Sequence, residues 1–186
     1  MLINEIFYSL QGEGTQMGKP SIFIRLSKCN LRCSFCDTEF DSGVEMTLDE
    51  IHQAIASYPC KHIIWTGGEP TLQLTEQVVD YFKHLGYFQS IETNGTRRPP
   101  LGLDYITCSP KKEALGLLKK NFPDGVDEFR FPIGKDIDLP PAIEDLPPAH
   151  NYLVSPIFVG DSWGEVDPEA VKLCVDYVLQ HPEWRL

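Results

Sequence analysis

A repeated alternation of strand and helix patterns constrains the fold of this chain more than any other feature of its sequence. Short runs rich in β-branched and aromatic residues lead into glycine-rich or polar turns, and several turns lead into segments with helical periodicity. Such alternation is typical of β-α units around a parallel sheet. No composition shift marks a linker and no segment repeats, so residues 1–186 are predicted to form one domain. The predicted strands are Ser21–Leu26, His62–Thr66, Gln89–Thr93, Tyr105–Cys108, Glu128–Pro132 and Tyr152–Ser155.

Three helices are predicted between and after these strands. The first begins after Thr47, because Thr47 can cap it and Glu50 stands at the position that completes a capping box. The second runs from about Leu72 to Leu85. The third begins at Asp167, a capping residue followed by Pro168 in the first turn. Its inward face is predicted to carry Val171, Cys174, Val175, Val178 and Leu179.

Composition and charge limit the classes of partner. Apolar residues make up 42% of the chain, which excludes disorder as a description of the whole protein. There are 16 Lys and Arg against 27 Asp and Glu, so binding to nucleic acid through phosphate neutralisation is not expected. No apolar run approaches the roughly 18–20 residues of a membrane span, and the first residues lack the pattern of a signal peptide. We expect a cytoplasmic protein that acts on a small molecule and binds no membrane.

Candidate functional residues follow four of the predicted strands directly. In sheets built from β-α units, chemistry is concentrated at the carboxyl ends of the strands. The four loops are therefore expected to meet at one rim of the sheet. They contain the cysteine-rich segment 28–38, Gly67–Pro70, Asn94–Gly95 and Ser109–Lys111.

The six cysteines fall into two groups. In a reducing cytosol, clustered cysteines are more often metal ligands or catalytic groups than disulfide partners. Cys29, Cys33 and Cys36 share one loop, and thiolates are the ligands that iron–sulfur clusters and zinc prefer. The scattered cysteines are interpreted as small buried hydrophobic residues, because free cysteine is among the most buried residue types. They are Cys60, Cys108 and Cys174.

The number of ligands separates two interpretations of the cysteine loop. A structural zinc site normally has four ligands, and the chain has no second Cys/His pair of matching spacing. Asp37 could be the fourth ligand, so a zinc-binding module stays an alternative. A cubane cluster with three cysteine ligands instead leaves one iron open to a ligand that is not protein.

Other rim motifs each have a plain structural interpretation beside a functional one. The segment Thr66–Pro70 is either a tight turn or a place where backbone approaches an ammonium group, with Glu69 adding a carboxylate. The segment Leu10–Gly14 is a hairpin turn or a ligand loop. Arg25 forms a surface ion pair or binds a carboxylate with its planar fork. Phe35 is either an ordinary packing residue or a ligand contact.

The spacing Cys-x3-Cys-x2-Cys, with Phe35 before the last cysteine, resembles the radical S-adenosylmethionine (SAM) superfamily. Further motifs in order resemble one of its families, the 7-carboxy-7-deazaguanine synthases. They are Tyr8–Gly14, Arg25, Cys36–Thr38, Ile91–Gly95 and Ser109–Lys111. At 186 residues the chain is too short to close an eight-fold barrel of about 250 residues. The expected fold is thus α/β, a single-domain open partial (β/α) barrel of the radical SAM type with about six parallel strands.

The resemblance implies a set of cofactors and the residues that bind them. Cys29, Cys33 and Cys36 would hold a [4Fe–4S] cluster and count as catalytic, and Thr38 would contact Mg²⁺. The residues implied for SAM are Phe35, Asp37, Gly67, Gly68, Glu69, Asn94, Gly95, Ser109, Pro110 and Lys111.

The resemblance also implies a reaction. The family converts 6-carboxy-5,6,7,8-tetrahydropterin into 7-carboxy-7-deazaguanine for queuosine biosynthesis, a tRNA modification pathway. A 5′-deoxyadenosyl radical takes the C6 hydrogen, the ring contracts, ammonia leaves and SAM is reused, so the enzyme is a carbon–nitrogen lyase. The implied substrate-binding residues are Leu10, Gln11, Gly12, Glu13, Arg25, Thr66, Glu92 and Thr93.

Partners and alternatives complete these expectations. By resemblance, a flavodoxin or ferredoxin would supply the electron and the protein would be a homodimer. Family members continue beyond the stretch Trp184–Leu186 with a further strand and tail, so residues 1–186 are expected to be the radical SAM core without that segment. An activase that installs a glycyl radical on a partner enzyme is the alternative within the superfamily, and the zinc-binding module is the alternative outside it.

Overall fold

The computed structural model describes residues 1–36, 38–158 and 166–186, and in these residues eight strands form one sheet. The strands are β1 Leu2–Leu10, β2 Pro20–Leu26, β3 Val44–Glu45, β4 His62–Gly67, β5 Phe88–Thr93, β6 Tyr105–Cys108, β7 Val126–Ile133 and β8 Ala149–Pro156. The α-helices are α1 Leu48–Ile55, α2 Glu76–His84, α3 Leu118–Asn121 and α4 Pro168–Gln180. Short 3-10 helices cover Gly14–Gln16, Pro70–Leu72, Lys112–Leu117 and Ile143–Asp145.

The order of the strands makes the sheet an open one. It runs β3-β1-β2-β4-β5-β6-β7-β8, and every neighbouring pair from β2 to β8 is parallel. These six parallel strands confirm the predicted architecture. Strands β1 and β3 were not predicted, and they extend one edge in the antiparallel direction. At the other edge, Arg185 forms a parallel bridge with Leu153 of β8.

The segment predicted as either a hairpin turn or a ligand loop joins β1 to β2. The backbone N–H of Gln11 donates to the carbonyl of Lys19 at 2.9 Å, and the N–H of Gly18 donates to the carbonyl of Gln11 at 2.7 Å. Gln11 is thereby fixed at the base of a hairpin loop. This loop lies at the same end of the sheet as the carboxyl ends of β5 and β7, because Gln11 contacts Glu92 and Glu13 contacts Arg130.

Helix boundaries follow local signals, with one exception. The Thr47 and Glu50 capping box is present at the start of α1, and Asp167 caps α4. The second helix begins later than predicted. Residues Pro70–Leu72 form a separate 3-10 turn, and the side chain of Thr75 accepts a hydrogen bond from the N–H of Val78 at the true start of α2.

The predicted inward face of α4 is wrong for three residues. Val171, Val175 and Leu179 are 36%, 40% and 78% exposed. The buried positions are Ala170, Cys174 and Tyr177. The prediction placed valine and leucine positions inward. The helix instead packs through a small residue, a thiol and an aromatic ring that contacts Trp184.

Apolar side chains on the helix side of the sheet form two core clusters. The cluster under β2, β4 and β5 includes Ile24, Trp65 and Ile91, and the cluster under β6, β7 and β8 includes Phe129 and Cys174. The strand residues that alternate with them point to the opposite face, where Phe23 and Ile64 are buried beside polar residues such as Thr66 and Arg130. In the described part of the chain, none of the helices has the length and apolarity to cross a membrane.

Candidate active site

The four loops expected at one rim are hydrogen-bonded to each other there. The N–H of Gly68 donates to the carbonyl of Leu26 at 2.9 Å, and the N–H of Glu69 donates to that of Lys28 at 2.9 Å. On the next pair of strands, the N–H of Ser109 donates to the carbonyl of Thr93 at 2.8 Å. The loops therefore form a continuous rim, and the cysteine loop is held against the end of β4.

The cysteine loop presents three thiols that are not deeply buried. Cys29 and Cys33 are half-buried and Cys36 is exposed. Burial raises the pKa of the Cys29 thiol, which receives hydrogen bonds from the N–H of Leu31 at 3.4 Å and from Nδ2 of Asn94 at 3.9 Å. Donors aimed at a sulfur suit a thiolate, which is the form that binds metal.

The three thiols of the loop match the ligand set of an iron–sulfur cluster with one open iron. Among the described residues, no three His, Cys, Asp or Glu side chains converge closely enough to hold one metal ion. An iron–sulfur cubane places each cysteine on a different iron, so three thiols spread over one loop fit it. Asp37, the predicted SAM contact and the fourth ligand of the zinc alternative, lies outside the described residues.

The two glycines at the end of β4, Gly67 and Gly68, allow a close approach of backbone to backbone. Gly67 has φ of +124°, and a Cβ there would lie 2.1 Å from the carbonyl oxygen of Leu26. A Cβ on Gly68 would lie 2.0 Å from the carbonyl oxygen of Lys28. A larger residue at Gly67 would push β4 away from the end of β2, and one at Gly68 would push it away from the cysteine loop.

Glu69 is fully buried, and its carboxylate is surrounded by donors. Oε1 accepts from the N–H of Thr71 at 3.0 Å, from Oγ1 of Thr71 at 2.6 Å and from Oγ1 of Thr93 at 2.8 Å. Oε2 accepts from the N–H of Asn94 at 2.7 Å. The carboxylate thus ties the turn after β4 to the end of β5, and through Asn94 to Cys29.

Lys111 reaches the cysteine loop from the opposite side. Its Nζ donates to Oγ of Ser109 at 2.8 Å and lies 5.6 Å from the ring centroid of Phe35. Burial lowers the pKa of Lys111, and the thiol of Cys33 acts in the opposite direction. Burial raises the pKa of the Cys33 thiol, and the positive charge of Lys111 acts against this rise. Asn94 and Gly95 border this rim, and Gly95 has φ of +81° with no room for a Cβ beside Cys108.

Two cavities lie on either side of Phe35. One has a volume of about 470 Å³ and is bordered by Glu13, Cys36, Ser109 and Arg130 as well as by Phe35. The other, of about 810 Å³, extends along the outer side of the loop and includes Pro110 and Cys33 in its wall. Both are in the size range of small-molecule sites. The smaller cavity is the place where the cysteine loop and the inner face of the sheet meet.

The inner face presents hydrogen-bonded polar side chains at this end. Nε2 of Gln11 donates to Oε1 of Glu92 at 2.9 Å, and Oγ1 of Thr66 donates to Oε2 of Glu92 at 3.3 Å. Leu10 and Gly12 flank Gln11 and are exposed. Thr93 is placed differently from the other predicted substrate residues, because its hydroxyl donates to Glu69.

Arg25 forms an ion pair and remains partly accessible. Its Nε lies 3.3 Å from Oε2 of Glu5, and its guanidinium carbon lies 5.9 Å from the ring centroid of Phe7. The side chain is 20% exposed, so the ion pair expected from the plain interpretation is present while the fork can still reach a ligand. At Thr38, the backbone carbonyl accepts from Sγ of Cys36 at 3.7 Å.

The chain matches known proteins over its whole length. A family model described as the radical SAM superfamily matches residues 23–133. A 7-carboxy-7-deazaguanine synthase of Bacteroides thetaiotaomicron is 43% identical over 99% of this chain and 92% of that protein. One from Haemophilus influenzae is 36% identical over 99% of this chain and 88% of that protein. The chain belongs to the 7-carboxy-7-deazaguanine synthase family of the radical SAM superfamily.

A solved structure agrees with this family assignment. The crystal structure of QueE from Escherichia coli superposes with a TM-score of 0.77 at 26% identity, covering 100% of this chain and 92% of that one. The resemblance, the fold class and the enzyme class predicted from the sequence are confirmed. Membership of the radical SAM superfamily implies a [4Fe–4S] cluster and SAM as cofactors.

Sequence reasoning missed two residues of this synthase that border or support the cavity. Arg130 lies on β7 with its side chain 8% exposed, and Glu128 lies two residues before it, 2% exposed. The available signal was two charged residues on the same face of a strand, with Phe129 between them and Phe131 after them, because charges in a buried parallel strand require partners. Donors to Glu128 come from the backbone of Thr15 and the hydroxyls of Thr15, Tyr105 and Thr107.

Proposed function

We propose that this chain converts 6-carboxy-5,6,7,8-tetrahydropterin into 7-carboxy-7-deazaguanine with loss of ammonia, a step of queuosine biosynthesis. One observation carries the proposal. The last cysteine of the loop, Phe35, Lys111 and the charged pair Glu13 and Arg130 all border the same cavity of about 470 Å³. This arrangement brings a site suited to a radical-generating cofactor next to a wall suited to a polar heterocycle, and the full-length relatives carry this enzyme's name.

The cysteine loop and its neighbours would hold the cofactors. Cys29, Cys33 and Cys36 would bind three irons of the cluster and leave the fourth for SAM. When bound, the cluster and SAM would supply the radical chemistry that begins at C6 of the pterin. The chain's own residues would hold the cofactors beside the substrate. Phe35 and Lys111 close the cavity beside the loop, and Glu69 acts through Asn94 to orient Cys29.

SAM itself would contact the rim around the cavity. We assign contacts to Phe35, Asp37, Gly67, Gly68, Asn94, Gly95, Ser109, Pro110 and Lys111 from the resemblance. Glu69 would act at one remove, because its carboxylate is buried and already accepts four hydrogen bonds. Gly67 and Gly68 support the same assignment through packing, since they hold β4 against the cysteine loop.

The substrate would bind along the inner face. A pterin edge carries both donors and acceptors, and Gln11, Thr66 and Glu92 form a group that offers both. Arg25 would exchange its ion pair with Glu5 for the planar carboxylate of the substrate. Leu10 and Gly12 would contribute backbone groups of the hairpin loop together with Glu13. Thr93 would act through Glu69 rather than by direct contact.

We further propose Mg²⁺ beside Thr38, because hydroxyl oxygen, water and substrate oxygens are the hard ligands that this ion takes. A flavodoxin or ferredoxin would reduce the cluster. The exposed position of Cys36 supports access from outside. A cytoplasmic homodimer is the expected state, by resemblance to the family and because a reducing compartment suits free cysteines.

Anaerobic reconstitution tests the proposed function. The protein, supplied with iron, sulfide, SAM, Mg²⁺, a reductant and the carboxypterin, should be brown, contain about four irons per chain and form the deazapurine. Substrate deuterated at C6 should transfer deuterium to 5′-deoxyadenosine. An iron-containing protein that forms no deazapurine would contradict the proposal and favour the activase. A colourless protein with zinc at the cysteines would favour the zinc module.

A further inference from the structure

Arg130 lies where one charged side chain contacts carboxylates from three parts of the fold. Its Nη2 is 3.0 Å from Oε2 of Glu13 in the hairpin loop and 3.4 Å from Oε1 of Glu92 on β5. Its Nη1 is 3.6 Å from Oε1 of Glu128 on its own strand. To reach Glu92, the side chain extends from β7 across β6 to β5 on the inner face.

The distances show that Arg130 lies closest to Glu13, then to Glu92 and then to Glu128. A single nitrogen of Arg130 serves both Glu13 and Glu92, whereas Nη1 is buried and makes no hydrogen bond with the described residues. Glu128 has its own donors from Thr15 and Tyr105. The guanidinium is therefore closer to the pair of carboxylates near the cavity than to the carboxylate of its own strand.

The side chain of Arg130 is buried, so its charge depends on the carboxylates around it. Removal from water works against the charge on Arg130, but Glu92, Glu13 and Glu128 outweigh it and raise the pKa of Arg130. The cation therefore stays charged under all working conditions. Without it, the like charges of Glu13 and Glu92 would repel each other and the two side chains would separate. Arg130 and Glu13 both border the cavity assigned to the substrate.

We propose that Arg130 is a positioning residue that bridges Glu13 and Glu92 and so sets the shape of the substrate-facing wall. The inference rests on the proposed function, because it concerns the wall that receives the pterin. The rigid, planar guanidinium holds Nη2 between the two carboxylates, whereas a lysine ammonium is a point charge on a flexible stem. Arg130→Lys should therefore keep the charge and lose part of the geometry.

A set of variants separates positioning from a purely structural role. Arg130→Met removes the bridge with little change in length, and Arg130→Met/Glu128→Gln also removes the buried carboxylate left without its counter-charge. Arg98→Met is the control, since Arg98 is exposed and pairs with Asp124. Each reconstituted protein is measured for iron content, melting temperature, and kcat and KM for the carboxypterin.

The expected result is a loss of activity in Arg130→Met that the double variant does not restore. Arg130→Met should bind iron normally, melt at a lower temperature and lose about 100-fold in kcat/KM, because small displacements of positioning groups cost this much. Arg130→Lys should lose about 10-fold. The double variant should not recover kcat/KM, because the bridge between Glu13 and Glu92 is still missing. Arg98→Met should match the wild type.

Two results would overturn the inference. Wild-type kinetics in Arg130→Met would show that the bridge is not needed, and recovery of activity together with stability in the double variant would show that Arg130 only balances Glu128. If Arg130→Met does not fold, Arg130→Lys and the double variant decide in the same way. A wild-type protein that forms no deazapurine would instead contradict the proposed function, so the two failures are distinguishable.

Discussion

The two faces of the sheet use alternate residues of the same strands for opposite purposes. On the helix side, Ile24, Trp65 and Phe129 are excluded from water and contact other apolar side chains. On the inner side, their neighbours Arg25, Thr66 and Arg130 contact polar groups. The period of two in a strand allows this division. We therefore expect substitutions on the helix side to change mainly stability and substitutions on the inner side to change mainly activity.

The largest effect is expected at the rim, where the inner face meets the cysteine loop. Cys33→Ala should abolish cluster binding and product formation, because two thiols cannot replace three ligands on one loop. Without its cluster, this variant should unfold at nearly the same temperature as the wild-type apoprotein, since Cys33 is only half-buried. Iron analysis and calorimetry check both statements. A variant that keeps its iron would refute the assignment of the ligands.

On the helix side, the largest loss should be one of stability. Phe129 is fully buried and contacts the rings of Phe122, Phe131 and Tyr152. Phe129→Ala should lower the free energy of unfolding by about 3–5 kcal/mol because it leaves a cavity. Denaturant titration measures this loss. The exposed Leu179 provides the matched control, and Leu179→Ala should change stability by less than about 0.5 kcal/mol.

Substitution of Glu69 is expected to affect both stability and the cofactor site. Glu69→Gln replaces one acceptor oxygen by a donor that faces the N–H of Asn94 or the hydroxyl of Thr93. We expect a loss of about 1–3 kcal/mol in stability, as for a buried group left unsatisfied. SAM binding, measured by calorimetry, should weaken as Asn94 moves. Unchanged stability together with weakened SAM binding would instead indicate direct contact with the cofactor.

Cys174 is the helix-side counterpart of the cysteines in the loop. It is fully buried in the second core cluster, and burial raises its pKa to about 11, which keeps the thiol protonated. Cys174→Ala should reduce the free energy of unfolding by about 1 kcal/mol while iron content and activity stay at wild-type levels. Loss of iron in this variant would refute the division of the cysteines into two groups.

The smallest effect is expected in the exposed loop after the cysteines. Hydrogen bonds from Ser42, and others from Asn4 and the N–H of Asp41, lower the pKa of Glu39 to about 2 from 4.5. A depressed folded-state pKa adds stability above the unfolded-state pKa, and this is lost as the pH falls from about 4.5 to 2. Unfolding of Glu39→Gln, followed between those pH values, should show a weaker pH dependence. An unchanged slope would contradict the prediction.

Much of the fold and part of the site could be predicted because their signals are local. Strand β6 was predicted with the bounds that the structure has, and the Thr47 cap was predicted from four adjacent residues. The cysteine loop was recognisable because its ligands lie within eight residues. The exposed side of α4 was predicted wrongly, since a helix with apolar residues on two sides does not show in sequence which side meets the sheet.

The amino-acid sequence by itself determined the β-α order, the family and the loop that can carry a cluster, because each depends on residues close together in the chain. Tertiary structure alone decided the inner wall. Gln11 meets Glu92 across 81 positions and Thr15 meets Glu128 across 113. Such pairs depend on which strands become neighbours and on which face each residue points to. For the same reason, only the folded sheet reveals that Arg130 joins two distant carboxylates beside the cavity.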